Sequence, residues 1–202
     1  MASIKERIEK WKSRKWYQKA GDIFFWLLLI MMIIPGPRKT IATAVNKVML
    51  NVRKPSMSDD QSGYMLQASD YQWEIRDLEG EIMDPANLQG EVIFLNYWGT
   101  YCPPCIAEMP EIQNIYDDYG DRVKFVLVSA ESREKVVNFL SSRDYNLPVY
   151  FGGRNMPEPL AIRSLPTTFI IARDGRIVLK KVGAADWDSR ATRKMLDQLL
   201  VR

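Results

Sequence analysis

Glu91-Val92-Ile93-Phe94-Leu95-Asn96-Tyr97 leads through Trp98-Gly99-Thr100-Tyr101 into Cys102-Pro103-Pro104-Cys105. The first seven residues form an almost continuous apolar run of strand length, the pattern of a parallel strand buried on both faces. Beyond the cysteines, Ile106 to Tyr119 sets Ile112, Ile115 and Tyr116 on one face of a helix. The only two cysteines of the chain therefore lie where a buried strand ends and a helix opens. A helix N-terminus presents unsatisfied N–H groups and the positive end of its dipole, which stabilise a thiolate and lower its pKa. Half of a zinc site is the competing reading, but the chain has no histidine and no second cysteine pair to complete four ligands. A purely structural disulfide would close too small a ring to constrain the unfolded chain much. The motif reads as a redox dithiol, and neither metal nor cofactor is expected.

Working downstream, Val123–Ser129 reads as a second buried strand, and a helix runs from Ser132 to about Arg143 with Val136, Val137, Phe139 and Leu140 inward. Leu147–Phe151 reads as strand, Pro157–Arg163 as a short helix and Thr168–Ala172 as strand. Asp174-Gly175 then forms a tight turn into Arg176–Val182, and a helix from Asp188 to Val201 closes the chain. Upstream, a short strand is expected over Tyr71–Asp77, a turn at Glu79-Gly80, and a second strand or loop reaching Gly90. No internal repeat is visible. Strands alternating with helices predict an α/β sandwich, and the final hairpin makes its central sheet mixed.

The 202 residues suffice for one domain and a tail. The absence of histidine removes imidazole metal sites, Ser/His/Asp and Cys/His catalysis, and histidine pH switches. Two cysteines also exclude a disulfide-dense secreted scaffold. Charge is segregated, with residues 1–55 carrying a net +9 and residues 56–202 a net −6. A nucleic-acid partner requires basic residues on the folded part, and here that part is acidic. No nucleic-acid partner is expected.

Residues 1–22 form a basic N-terminus, with seven Lys/Arg between Lys5 and Lys19. An uncharged stretch follows over 23–37, of which Ile23–Ile34 is strongly apolar; a spanning helix needs roughly 20 residues. It has no polar face, which disfavours a buried core helix. A cleaved signal peptide with Ala42-Thr43-Ala44 as its site is the alternative, but Arg38 and Lys39 sit where a neutral segment should be. An uncleaved transmembrane anchor is the favoured reading, with the helix able to begin near Trp16. More basic charge precedes the run than follows it closely, so the N-terminus stays cytoplasmic and the rest is exported. Ile41, Val45, Val48 and Val52 recur at helical spacing, either as an amphipathic stretch on the outer leaflet or as a short solvated helix. Pro55–Gly63 is a polar, turn-rich linker, so 38–63 is a juxtamembrane segment and 64–202 the folded domain.

The run Asn96 to Cys105, followed by Glu108-Met109-Pro110, resembles the thioredoxin superfamily, and more narrowly its TlpA/ResA branch of membrane-anchored extracytoplasmic thiol–disulfide oxidoreductases. Tyr71–Gly80, Leu165-Pro166-Thr167-Thr168-Phe169, Asp174-Gly175 and the extra helix and strand between Ser132 and Phe151 add to the resemblance, which covers residues 64–202 and the anchor arrangement. It implies a thioredoxin-like sandwich with flanking helices. It implies further that Cys102 is the attacking thiolate and Cys105 the resolving thiol, with exchange passing through a mixed disulfide. Pro166 corresponds to a cis-proline facing the active site, the alternative being a trans proline that starts a strand. Leu165 would offer its backbone to an extended substrate segment. Thioredoxins place a buried Asp where this chain has Asn96, and an amide cannot accept and return a proton. The matching acid of the branch is Glu108, whose alternative reading is a solvated helix residue. Trp98 is expected at the rim of the site rather than simply in the core. Pro103 and Pro104 remove two backbone donors near Cys102, which argues against an extremely acidic thiol.

The resulting expectation is a protein thiol–disulfide oxidoreductase of the bacterial inner membrane, single-pass, with its catalytic domain in the periplasm. It would reduce disulfide-containing client proteins, drawing electrons from a membrane thiol reductase. An oxidant or isomerase with the same residues, or a redox-inert module that holds extended peptides, are the rivals. A peroxiredoxin is disfavoured because Gly99 stands where that motif wants Thr.

Overall fold

The computed structural model describes residues 63–152 and 155–201. The basic N-terminus, the expected anchor at 23–37 and residues 38–62 lie outside the described residues. Among the described residues, no helix is long and apolar enough to cross a membrane.

Seven strands form one mixed sheet. They are β1 (Ile75–Arg76), β2 (Ile82–Met83), β3 (Ile93–Trp98), β4 (Lys124–Ser129), β5 (Val149–Gly152), β6 (Thr167–Ile171) and β7 (Ile177–Val182), and their order is β2-β1-β5-β4-β3-β6-β7. The β3–β4 and β4–β5 pairs are parallel and the others antiparallel. Among the described residues the α-helices are α1 (Pro103–Tyr119), α2 (Arg133–Ser141) and α3 (Arg190–Val201). This is the mixed thioredoxin-like α/β architecture expected from the sequence.

Every residue of β3 is buried, as its continuous apolar run requires of a strand with partners on both edges. Alternation divides it between two cores. Phe94 and Trp98 enter one cluster with Cys105, Met109, Ile112 and Ile115 of α1, Phe139 of α2, and Leu196 and Leu199 of α3. Ile93, Leu95 and Tyr97 enter a second cluster with Leu66, Tyr71, Trp73 and Leu160. Asn96 has the parity of Phe94 and Trp98, so it lies on the face that α1 covers.

The turn between β6 and β7 closes as its Asp-Gly pair predicts. Gly175 has φ +83°, Arg176 N–H donates to Asp174 Oδ1, and a Cβ on Gly175 would lie 3.2 Å from the Leu66 carbonyl oxygen. The sequence and the structure differ before β3. The strand expected over Tyr71–Asp77 is a short 3-10 turn at Ala68–Tyr71 followed by the two-residue β1. Pro157–Arg163 likewise contracts to a 3-10 turn at Glu158–Leu160. Helix α1 starts three residues earlier than its apolar periodicity indicates, because proline is suited to a first turn whose N–H groups have no helical acceptor.

Candidate active site

Cys102 is the N-cap of α1, in an extended conformation, and is disulfide-bonded to Cys105. Gly99 C=O accepts from Cys102 N–H at 3.1 Å, closing a turn that aims the cysteine at the helix start. Pro103 and Pro104 occupy the first two helical positions and have no N–H. The first available donor is therefore Cys105 N–H, which donates to Cys102 Sγ at 3.3 Å. Cys102 is 7% exposed and Cys105 0% exposed, so solvent reaches the first sulfur more readily.

A second device fixes the turn before Cys102. Glu131, just beyond β4, accepts from both the backbone N–H and the Oγ1 hydroxyl of Thr100. The turn is tight at Gly99: a Cβ there would sit 2.9 Å from the Tyr101 ring and 3.2 Å from Glu131 Oε2, so a side chain would require both neighbours to shift.

Glu108 lies one helical turn after Cys105 and is 0% exposed. Its Oε1 accepts from Asn96 Nδ2 at 3.1 Å, and its Oε2 accepts from Trp187 Nε1 at 2.8 Å and from Ala185 N–H at 3.2 Å. Burial pushes its carboxyl up to about 8, against the three hydrogen bonds that favour the ionised form and with a further push from the Glu111 carboxylate. The solvated-helix alternative for Glu108 is therefore set aside by its burial. Asn96, in the strand position where thioredoxins carry an Asp, does not replace that acid; it holds an acid supplied by the helix.

Residue Pro166 immediately precedes β6, and the β3–β6 register pairs Tyr97 with Thr167, which brings Pro166 level with Trp98. The Leu165–Pro166 peptide is cis, and Gly183 N–H donates to the Pro166 carbonyl at 2.8 Å. Beside this loop is a cavity of about 280 Å³ lined in part by Trp98, Tyr101, Leu160, Ile162 and Leu165. It is thus bordered by the residue before Cys102 and the residue before Pro166. Trp98 combines the two placements weighed from the sequence. It is 1% exposed and packs on Phe139 with ring centroids 5.4 Å apart, yet it lines the cavity.

With that geometry in place, the match of residues 55–200 to the Redoxin family model decides the assignment. The chain belongs to the Redoxin family. Among relatives of this redoxin, the thiol-disulfide oxidoreductase ResA of Halalkalibacterium halodurans is 38% identical over 112 residues, which cover 54% of this chain and 64% of that protein. The ResA protein of Bacillus subtilis is 29% identical over 170 residues, covering 83% of this chain and 84% of that one. The first of these matches thus spans less than two thirds of the relative's length. Among solved structures, the exposed lipoprotein thioredoxin of Streptococcus pneumoniae superposes with a TM-score of 0.53 at 26% identity, covering 63% of this chain and 98% of that one.

Of the residues singled out from this redoxin's sequence, Cys102, Pro103, Cys105 and Glu108 share the first two turns of α1, while Trp98, Leu165 and Pro166 meet at the cavity and the β6 entrance. Sequence reading missed Trp187, Ala185, Thr168 and Glu131. Trp187 sits in a turn-rich stretch 79 positions from Glu108. Its one available signal is that a buried indole N–H requires an acceptor.

Proposed function

We propose that this chain is a thiol–disulfide oxidoreductase that exchanges disulfides with client proteins through Cys102 and Cys105. The observation that carries the reading is the bonded cysteine pair at the start of α1, with the buried Glu108 one turn below it. In the reducing direction, the Cys102 thiolate attacks one sulfur of a client disulfide, and the other client sulfur leaves as a thiolate. Cys105 loses its proton to Glu108 and attacks Cys102 Sγ in the mixed disulfide. The second client sulfur then departs, so two electrons pass to the client as the Cys102–Cys105 bond forms. A carboxyl near 8 is close to the ordinary thiol value of roughly 8.5, which suits proton exchange in either direction.

Leu165, beside the cis-Pro166 peptide, is the proposed docking point for an extended client segment; Trp98, which lines the adjoining cavity, and Pro103, which directly follows Cys102, are the proposed borders of the bound disulfide. The apolar run at 23–37 is read as a single-pass anchor that leaves the domain on the periplasmic side of a bacterial inner membrane. Export spaces oxidise thiols. A tethered reductant there would be recharged by a membrane thiol reductase, and the tether suits such a relay. The test is insulin reduction by the full-length protein, with a titration of its dithiol against glutathione. Turnover with a potential below that of the glutathione couple supports the reductant; a potential well above it would make the protein an oxidant or isomerase. No turnover would leave the redox-inert peptide binder.

A further inference from the structure

We infer that Asn96 is a positioning residue that assigns the exchangeable proton of the buried acid to Glu108 Oε1. The inference rests on the oxidoreductase reading and adds to it where the proton sits and what puts it there. A carboxyl group has two oxygens and about four lone-pair sites. Oε2 of Glu108 has both of its sites occupied, by Ala185 N–H and by Trp187 Nε1–H. Oε1 accepts a single hydrogen bond, from Asn96 Nδ2, and so retains one site. When Glu108 is protonated, the hydrogen is on Oε1.

The amide of Asn96 is itself held in register. Its Nδ2 also donates to Thr168 Oγ1 at 2.8 Å, across the β3–β6 pair in which Asn96 and Thr168 are directly opposite. Both amide hydrogens are thereby engaged, while the buried Asn96 Oδ1 has no partner among the described residues. A buried acceptor without a donor gives up its hydration with no hydrogen bond in exchange. The amide accepts that cost in an orientation that serves Glu108 and Thr168. Among the described residues, β3 and β6 present Asn96 and Thr168, the segment at 185–187 presents two N–H groups and carries Asp186, and Glu111 on α1 is the carboxylate that pushes on Glu108. Cys105 occupies the same helix one turn earlier, also 0% exposed, so its sulfur cannot exchange its proton directly with bulk water. When an incoming thiolate bonds to Cys102 Sγ, the S–S bond breaks, and Cys105 leaves with the electron pair and takes the Oε1 proton. The reverse step returns that proton to Oε1.

The test uses the reduced full-length protein in detergent, mixed with the aromatic disulfide dithiobis(nitrobenzoate). The first thionitrobenzoate released reports attack by Cys102, and the second reports attack by Cys105 on the adduct. Asn96→Ala should slow the second release about tenfold, a fraction of the usual general-base effect, and leave the first within about twofold. The pH midpoint of the second step should rise, since ionised Glu108 loses a donor. Thr168→Val, nearly isosteric, should move the second step in the same direction by less, and it serves if Asn96→Ala does not fold. Equal slowing of both steps with a fixed midpoint, or no change in either, would overturn the inference. Failure of the wild type to release the second thiolate would instead overturn the oxidoreductase reading on which it rests.

Discussion

Trp187 Nε1 donates to Glu108 Oε2 at 2.8 Å, joining two fully buried residues 79 positions apart. Each supplies what the other lacks: the indole N–H needs an acceptor inside the core, and the carboxyl needs donors to tolerate burial. The ring also stands edge-on to Phe94 of β3, with centroids 5.1 Å apart, so the stretch before α3 is fastened to the sheet and to the helix that carries the cysteines.

Trp187→Phe separates those two roles. The edge contact with Phe94 can largely survive, but the donor is lost and a small void replaces the indole. A loss of about 2–4 kcal/mol is expected in urea unfolding at neutral pH. Glu108 should then protonate at still higher pH, because a hydrogen bond favouring its ionised form is gone. A variant with wild-type stability and an unmoved Glu108 titration would show that the hydrogen bond has no energetic role.

Glu108 should also write a pH dependence into stability. Its folded value of about 8 lies above the reference 4.5, so between these two pH values the folded state holds a proton that the unfolded state has released. Stability from this group is therefore fully present below about pH 4.5 and is lost as pH rises through 8, at up to about 1.4 kcal/mol per pH unit. Glu108→Gln has no such proton to lose. Urea unfolding of the oxidised proteins should show the variant gaining on the wild type from pH 5 to pH 8, as an order-of-magnitude window set by those two values. Parallel curves would mean that Glu108 titrates normally in the folded protein.

The parts of the site that were legible in the sequence are those carried by neighbouring residues. The run from Ile93 to Cys105 announces a buried strand, a turn and a helix start, and Asp174-Gly175 announces the last hairpin. Glu108 was visible by its spacing from Cys105 together with the family resemblance. Its depth was not, because a single Glu on a helix gives no sign of what covers it. The covering groups, Trp187 and Ala185, belong to a distant loop without periodicity. Glu131 and Thr100 were silent for the same reason: 31 residues separate them, and only the parallel β3–β4 pairing brings their strand ends together. The short β1 and β2 misled because two-residue strands offer no alternation to count.

Topology is tested on spheroplasts and on the membranes prepared from them. If Ile23–Ile34 anchors the chain, the full-length protein should remain in the membrane pellet after a carbonate wash. Residues 64–202 should then be open to protease added from the periplasmic side. Recovery of only a soluble form beginning near Val45 would establish cleavage of a signal peptide.

The two sulfurs should be separable by trapping. Cys102, at the N-cap and the more exposed, is assigned the attack, and Cys105, fully buried behind it, is assigned resolution. Cys105→Ser leaves the attacking sulfur in place and removes the group that expels the client, so mixed disulfides should accumulate and run as high-mass bands on non-reducing gels. Cys102→Ser should form no adducts and show no insulin reduction, since the buried sulfur cannot reach a client disulfide. In an otherwise wild-type chain, Glu108→Gln should form adducts at a near-normal rate but clear them slowly, because Cys105 then lacks its proton acceptor. Its thiols should also ionise at lower pH, measured as alkylation rate against pH for the coupled cluster rather than for one sulfur. Accumulation of adducts by Cys102→Ser instead would reverse the assignment of the two cysteines. Clearance by Glu108→Gln at the wild-type rate would remove Glu108 from the proton path.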